Sequence, residues 1–556
     1  MKRILITISL TLFCLMGFSQ TKDLVTTDGV TTTLHKANTG KITFMKGNIP
    51  LDQYKESDFL QSFPLAYKSD LNIRVFMDNS ITNYLHQLAP DLSAEQLLEK
   101  GNLQFTFYID NQLIYKENIS PNCWIGNANK LKNTLTTFRI PLTSTKGENL
   151  WALHLWERFQ INGGEKAWQK EGKHKLKIEI RPYIKLDDKS DAKVGNLISQ
   201  GQLELIIKTP TLTADQIAIQ PIKSDSGWEI SDFKLDQKKI EALNSEIASY
   251  KLKEITSIVV IKDGKLLLEE YFNGADRNTL HDPRSAGKSF ASTLMGIAIQ
   301  DGYIKDENQT LDQFYNLKSF QNYNIKKDQI TIKNLLTMSS ALEGSDANSD
   351  SPGNEENMYP TENWVKFTLD LPIDPSKTNG GKWDYFTAGT ILLGDILDKK
   401  VHNGLEKYAD EKLFKPLGIT KYQWQYTPQN VANTAGSLQM RSLDYAKYAQ
   451  LYKNNGVWTG KQILSKDWVK KTFSHQIQIL GRNNEFYSYL FWNKSVEYKG
   501  KNYETYYCAG NGGNEFIIFK DLPIVIIITS KAYNKPYGHP QAEKIVKDFI
   551  LPAILK

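Results

Sequence analysis

Cysteine is scarce in this chain, with three in 556 residues, at Cys14, Cys123 and Cys508. One falls in the leader described below and the other two fall in different candidate domains. A disulfide framework is therefore excluded by count, and two isolated thiols are expected. An excess of charge of one sign is missing too: 68 Lys and Arg face 62 Asp and Glu, for a formal net charge of +6, and the lysines are scattered. That pattern argues against a nucleic-acid partner. The eight His are dispersed, none at ligand spacing with Cys or another His, so neither a metal site nor a cofactor is expected. Beyond the first 18 residues no apolar run is long enough to span a membrane. The G-x-S-x-G elbow of the α/β-hydrolases is absent as well.

What is present is ordinary globular material, 40% hydrophobic and 23% charged, long enough for more than one core. Met1-Lys2-Arg3 precedes an apolar run from Ile4 to Phe18 that ends in Gly17-Phe18-Ser19-Gln20. A charged start, an apolar centre and a small-residue end predict a secretory signal peptide over residues 1–20, and an exported protein, periplasmic or extracellular. Cys14 is a poor lipid-attachment site because bulky Phe13 precedes it.

Residues 21–210 read as short strands: Ile42–Met45, Ile73–Met77, Phe105–Ile109, Leu153–Trp156, Leu176–Ile180 and Leu203–Ile207. Several alternate apolar with polar, and Asp110-Asn111 has the composition of a hairpin turn. An all-β N-terminal domain, a sandwich, is expected. Its Trp124, Trp151, Trp156 and Trp168 fit either a carbohydrate or cell-wall contact or, as is commoner in sandwiches, core packing. A prolyl stretch without periodicity, 211–224, reads as the linker. Residues 225–556 open with a helical segment, Leu235–Tyr250, and a hairpin turning at Asp263-Gly264. They close with two apolar strands, Phe516–Phe519 and Ile524–Ile528, and a helix over about 541–551. Strands at both ends of a long helical middle predict one antiparallel sheet completed by both termini and covered by helices, an α+β domain.

The chemistry concentrates at His281-Asp282-Pro283-Arg284-Ser285-Ala286-Gly287-Lys288-Ser289. Apolar residues at Phe290, Leu294, Ile297 and Ala298 mark one face of a helix ending near Gly302. Three residues is nearly one turn, so Lys288 shares a face with Ser285 and can take or steer its hydroxyl proton. The alternative is a capping Ser with a solvated Lys, but the helix is too apolar to lie on a surface. Ala286-Gly287-Lys288-Ser289 also approaches a phosphate loop; Asp282 stands where that motif needs Gly, so nucleotide binding is discounted.

From about Asp225 to the end, the chain resembles the serine β-lactamase and penicillin-recognising superfamily, in its class C-like branch with esterases, D-aminopeptidases and aminohexanoate-oligomer hydrolases. The resemblance rests on His281-Asp282 with Arg284–Ser289, Asn334–Ser340, Lys382–Thr387, Ala435–Leu438 and Ala509–Gly513, in that order. It does not reach residues 21–210, where no family is recognised.

The resemblance implies a β-lactamase-like fold, with an antiparallel sheet, helices on both sides and a helical region. It also implies an acylated nucleophile, Ser285, a base partner, Lys288, and a second general base and acid, Tyr385, whose other reading is a core aromatic beside Trp383. Backbone N–H donors for an oxyanion are expected at Ser285 and within Gly510, Asn511, Gly512 and Gly513; a plain Gly-rich turn is the alternative there. Two departures stand out: Thr387, expected to contact the substrate, replaces the Asn that penicillin-binding members carry two residues after the Tyr, and Gly510 or Ala509 replaces the Lys or His of the third motif. Both point to small esters, amides or peptides as substrates, with β-lactamase or D-amino-acid peptidase activity as the alternative and a catalytically silent binding or sensor protein as the rival of another class. Arg441 or Arg482 could still supply a carboxylate partner. Glu343–Asn357 reads as a mobile loop near the site or as a solvated excursion.

Overall fold

The computed structural model describes residues 29–555 apart from 48, 51–52, 67–68, 122–134, 145–149, 168–169, 188–189 and 349. The leader, Cys14, Cys123, Trp124 and Trp168 lie outside the described residues. The chain divides between Thr209 and Pro210 into two compact units.

The N-terminal unit is sheet-rich. A three-stranded antiparallel sheet is formed by Ile42–Lys46, Leu71–Phe76 and Thr137–Thr143. A six-stranded sheet runs in the order Ser62–Leu65, Ser199–Ile207, Gly172–Ile184, Gly101–Ile109 and Gln112–Asn118, with Lys193–Val194 pairing beside Gly172–Ile184. Period-2 alternation aims Leu103, Phe105, Phe107 and Ile109 at the same core that receives Phe44, Ile73 and Val75 from the smaller sheet. The Asp110-Asn111 turn has both residues at positive φ, 49° and 68°, the twist a two-residue hairpin needs and one that Asp and Asn tolerate. Helices Ile81–Leu88, Ala94–Lys100 and Leu150–Phe159 accompany the sheets. The last overturns the strand expected at Leu153–Trp156: four alternating residues suit either period, but Leu155, Trp156 and Phe159 are buried together at helical spacing. Trp156, 2% exposed, is core and offers no platform.

In the second unit the stretch expected as a linker is strapped down. The Asn244 side chain donates to the carbonyls of Ile217 and Ala218, and Gln220 exchanges side-chain bonds with the backbone of Tyr271 while its own N–H donates to the Glu270 carboxyl.

The eight-stranded sheet of this unit is antiparallel and ordered Lys265–Tyr271, Ile255–Lys262, Ile524–Ser530, Asn514–Phe519, Lys501–Gly510, Trp492–Tyr498, Phe486–Tyr487, Ile477–Gln478. As expected, both ends of the unit complete it. The continuous apolar run Ile524–Ile528 follows from burial on both faces. Ile526 and Ile528, with Ile258, Val260, Ile517 and Phe519, pack on the Gln237–Ala248 helix and the C-terminal helices. Val525 and Ile527, with Val259, Ile261, Phe516 and Ile518, pack on a large helical region that holds Phe290, Leu294, Ile391, Tyr445 and Tyr448. The architecture is α+β.

Candidate active site

Ser285 lies in a single 3-10 turn, Arg284–Lys288, that leads into the α-helix Ser289–Gln300. Every helix residue from Ser289 to Ala298 is buried, and Thr293 is held by the hydroxyls of Tyr448 and Tyr452 at 2.8 and 2.7 Å, so the turn stands on a fixed base. Arg284 occupies left-handed backbone, φ 51°, with its N–H bonded to the Asp282 carboxylate at 2.9 Å. For a long side chain this conformation costs free energy and persists only where the surroundings enforce it.

Three glycines show what enforces it. A Cβ on Gly287 would lie 2.6 Å from the Gly436 carbonyl oxygen, one on Gly436 would lie 2.1 Å from the Arg284 oxygen, and one on Gly510 would lie 1.9 Å from the Pro283 oxygen. The Ser285 turn is thus clamped, backbone against backbone, between the 435–437 loop and the end of the Lys501–Gly510 strand. Asn433 shapes that loop, accepting from the Ala435 N–H at 2.8 Å and donating to the Ser437 hydroxyl at 3.1 Å.

Lys288 is 1% exposed, and its ammonium donates to Ser285 Oγ at 2.8 Å and to the Ala435 carbonyl at 2.9 Å. The Tyr385 ring centroid is 5.3 Å from the same nitrogen. Tyr385 stacks on Trp492 at 5.7 Å and leans against Trp383 at 6.3 Å. Its hydroxyl makes no hydrogen bond among the described residues. The backbone N–H groups of Ser285 and Asn511 are also without an intramolecular acceptor among the described residues, and both residues line one cavity of about 350 Å³. The turn at Gly512 and Gly513, φ 92° and 84°, closes by a 3.2 Å bond from the Gly513 N–H to the Gly510 carbonyl, which presents Asn511 at the strand end.

Asp282, from the Ser285 motif, and Glu355 and Glu356, from the 343–357 stretch, also line this cavity; Tyr359, Trp364, Gln425 and Asn534, to which the sequence did not point, join them. Arg284 is engaged, 3.5 Å from the Asp282 carboxylate and 4.4 Å over the Tyr533 ring. Glu355 accepts from the Tyr359 hydroxyl at 2.7 Å, and neither it nor Glu356 has a cationic partner among the described residues. A roomier groove of about 900 Å³, bounded by Asp236, Glu497 and Lys547, carries none of the expected site residues.

Thr387 is placed differently from the expectation. It is fully buried in the first turn of the Thr387–Lys400 helix and is absent from the cavity wall. Arg441 is committed to the buried Asp444, at 2.7 Å, and Arg482 to Glu485, at 3.2 Å, with its guanidinium 5.3 Å over Trp492. The Glu343–Asn357 stretch is tightly bonded: the Asn354 amide donates to the carbonyls of Ser345, Asp346 and Asn348, and the Ser345 N–H to the Ser351 hydroxyl. His281 is buried, and burial together with the nearby Lys531 charge lowers its pKa to about 4, so it stands neutral behind the turn. Burial raises the Cys508 thiol to about 12, which leaves it inert.

Residues 255–547, just over half of the chain, match the family model described as Beta-lactamase, and the chain belongs to that family. Solved structures similar to it include a Bacillus anthracis protein assigned as a 6-aminohexanoate-dimer hydrolase (17% identity, 62% of this chain and 90% of that one, TM-score 0.47). A family VIII carboxylesterase (14%, 58% and 98%, TM-score 0.44) and a D-stereospecific amidohydrolase from Streptomyces sp. (14%, 54% and 95%, TM-score 0.41) are also similar. No curated protein matches the sequence.

Proposed function

We propose that this protein is an exported serine hydrolase that cleaves small esters or amides through an acyl-enzyme on Ser285. The observation that carries the reading is the 2.8 Å contact between Lys288 Nζ and Ser285 Oγ, made by a lysine that is 1% exposed. A serine hydroxyl is a weak nucleophile until a neighbouring base takes its proton. In its free-amine form Lys288 accepts that proton as Oγ attacks the carbonyl carbon. The oxyanion that forms is met by the Ser285 and Asn511 N–H groups, which have no competing acceptor among the described residues. Tyr385, beside the Lys288 nitrogen, relays that proton from Lys288 to the leaving alcohol or amine, and the pair, so restored, then takes a proton from the water that attacks the acyl carbon and returns it to Ser285 Oγ as the acid leaves.

The charge of the cavity wall supports neutral or cationic substrates over carboxylates. Glu355 and Glu356 are uncompensated, while Arg284 is already engaged by Asp282 and Tyr533. A β-lactam carboxylate brought here gains no free cation and faces like charge. Export rests on the composition of residues 1–20 and is read by fractionating cells that produce the full-length chain. The assignment of Ser285 is tested by Ser285→Ala, which should abolish both labelling by a fluorophosphonate and turnover of a p-nitrophenyl ester while thermal unfolding stays unchanged. Persistent turnover in that variant overturns the assignment of Ser285, whereas a wild-type chain with neither labelling nor turnover favours a silent protein on this fold.

A further inference from the structure

Asp346 sits outside the cavity wall, yet it holds the Tyr385 segment from both sides. Its backbone N–H donates to the Tyr385 carbonyl at 2.8 Å, and its Oδ2 accepts from the Thr387 N–H at 2.7 Å. Its Oδ1 accepts from the Glu355 N–H at 3.0 Å, at the start of the Glu355–Met358 helix. The 14-residue helix that begins at Thr387 has Phe386 at its N-cap and no side-chain cap of its own. A carboxylate from a distant loop fills that role, satisfying an orphan N–H and meeting the positive end of the helix dipole.

Asp346 also lies within electrostatic reach of the catalytic lysine. Burial raises its carboxyl above the ordinary value, the Thr387 bond and the Lys288 charge pull it down, and Glu355 pushes it up. The titratable groups facing it are Lys288 from the Ser285 turn and Glu355 and Tyr359 from the 355–359 segment.

We propose that Asp346 is the positioning residue of the Ser285–Lys288–Tyr385 centre, fixing the Tyr385 turn through two hydrogen bonds, tying it to the Glu355 helix through a third, and placing a negative charge near Lys288. The proposal rests on the assignment of Lys288 as the base. Removing the Asp346 charge should move the acidic limb of the kcat/KM profile, which a purely packing role would leave in place.

The test measures kcat/KM against pH for an uncharged p-nitrophenyl ester in the full chain. Asp346→Asn should lower kcat/KM about tenfold to hundredfold, because Tyr385 is no longer held, and should move the acidic limb of the profile. Thr387→Pro removes the N–H that Asp346 accepts, together with the buried Thr387 hydroxyl, and leaves the Asp346 charge in place, at a helix position that proline tolerates. It should lower the rate and leave the limb in place. If Asp346→Asn does not fold, Asp346→Ser, which keeps a capping oxygen and no charge, replaces it. A limb that stays put in the charge-removing variant, or an unchanged rate, overturns the proposal. Turnover that survives Ser285→Ala instead overturns the catalytic assignment beneath it, so the two failures are distinguishable.

Discussion

Replacing Gly510 by Ala is predicted to damage catalysis far more than folding. The added methyl would sit 1.9 Å from the Pro283 carbonyl oxygen and 2.9 Å from the Ala286 nitrogen, both backbone atoms of the nucleophile turn. An ordinary carbon contact needs about 3.5 Å, so strand end and turn must separate by roughly 1.5 Å. Overpacking of this kind costs about 1–3 kcal/mol of stability. The separation also pulls the Asn511 N–H away from Ser285, and misplacement by about 1 Å can cost a hundredfold in rate. The expected result is a fall in kcat of about a hundredfold or more, with a thermal midpoint lowered by only several degrees. Gly500→Ala is the control: Gly500, at φ 74° between Tyr498 and Lys501, meets nothing within 4 Å, so it should cost stability without touching turnover. A Gly510→Ala enzyme with the wild-type rate would refute the argument that this strand end is a wall of the site.

Tyr385→Phe should lower turnover about a hundredfold, the usual scale for loss of a general acid or base, with little change in thermal midpoint because the hydroxyl has no partner among the described residues. Wild-type rates would return Tyr385 to a packing role. Nitrocefin should turn over far more slowly than a short-chain p-nitrophenyl ester, by tenfold to hundredfold or more, since a missing charge-assisted bond is worth about 1.5–3 kcal/mol. Matching rates would restore the β-lactamase alternative. The Glu270 carboxyl is raised to about 7, chiefly by burial and also by Glu269, against the pull of Gln220 and Asn244. The folded chain then holds a proton that the unfolded chain releases from pH 4.5 upward, so stability falls as pH rises through that window, by about 3 kcal/mol in all. Urea midpoints measured from pH 4.5 to 8 should diverge between the wild type and Glu270→Gln over this range, and parallel curves would rule the effect out.

The sequence disclosed those parts of the molecule whose cause is local. The Asp110-Asn111 and Asp263-Gly264 turns were legible because each residue type tolerates the positive φ that the hairpins require. Ser285 and Lys288 were legible because their spacing and the apolar helix after them lie in one short segment. Asp346 was not, since its meaning comes from Tyr385 and Thr387, about forty residues further on, and nothing at position 346 announces them. Thr387 misled for the opposite reason: its place beside Tyr385 in the sequence suggested substrate contact, while the helix it begins turns the side chain into the core. Leu153–Trp156 misled because four residues are too few to separate a period of 2 from one of 3.6.

The order of the large sheet has a consequence for the chain as it is made. The nucleophile turn is synthesised midway, but the strand that presents Gly510 and Asn511 joins the Ile255–Lys262 hairpin only through Asn514–Phe519 and then Ile524–Ser530. A chain stopped after about residue 520 would carry Ser285, Lys288 and Tyr385 and still lack the strand that docks the oxyanion donor against them. On the proposed mechanism, fragments terminated before Ile524–Ser530 should therefore be inert.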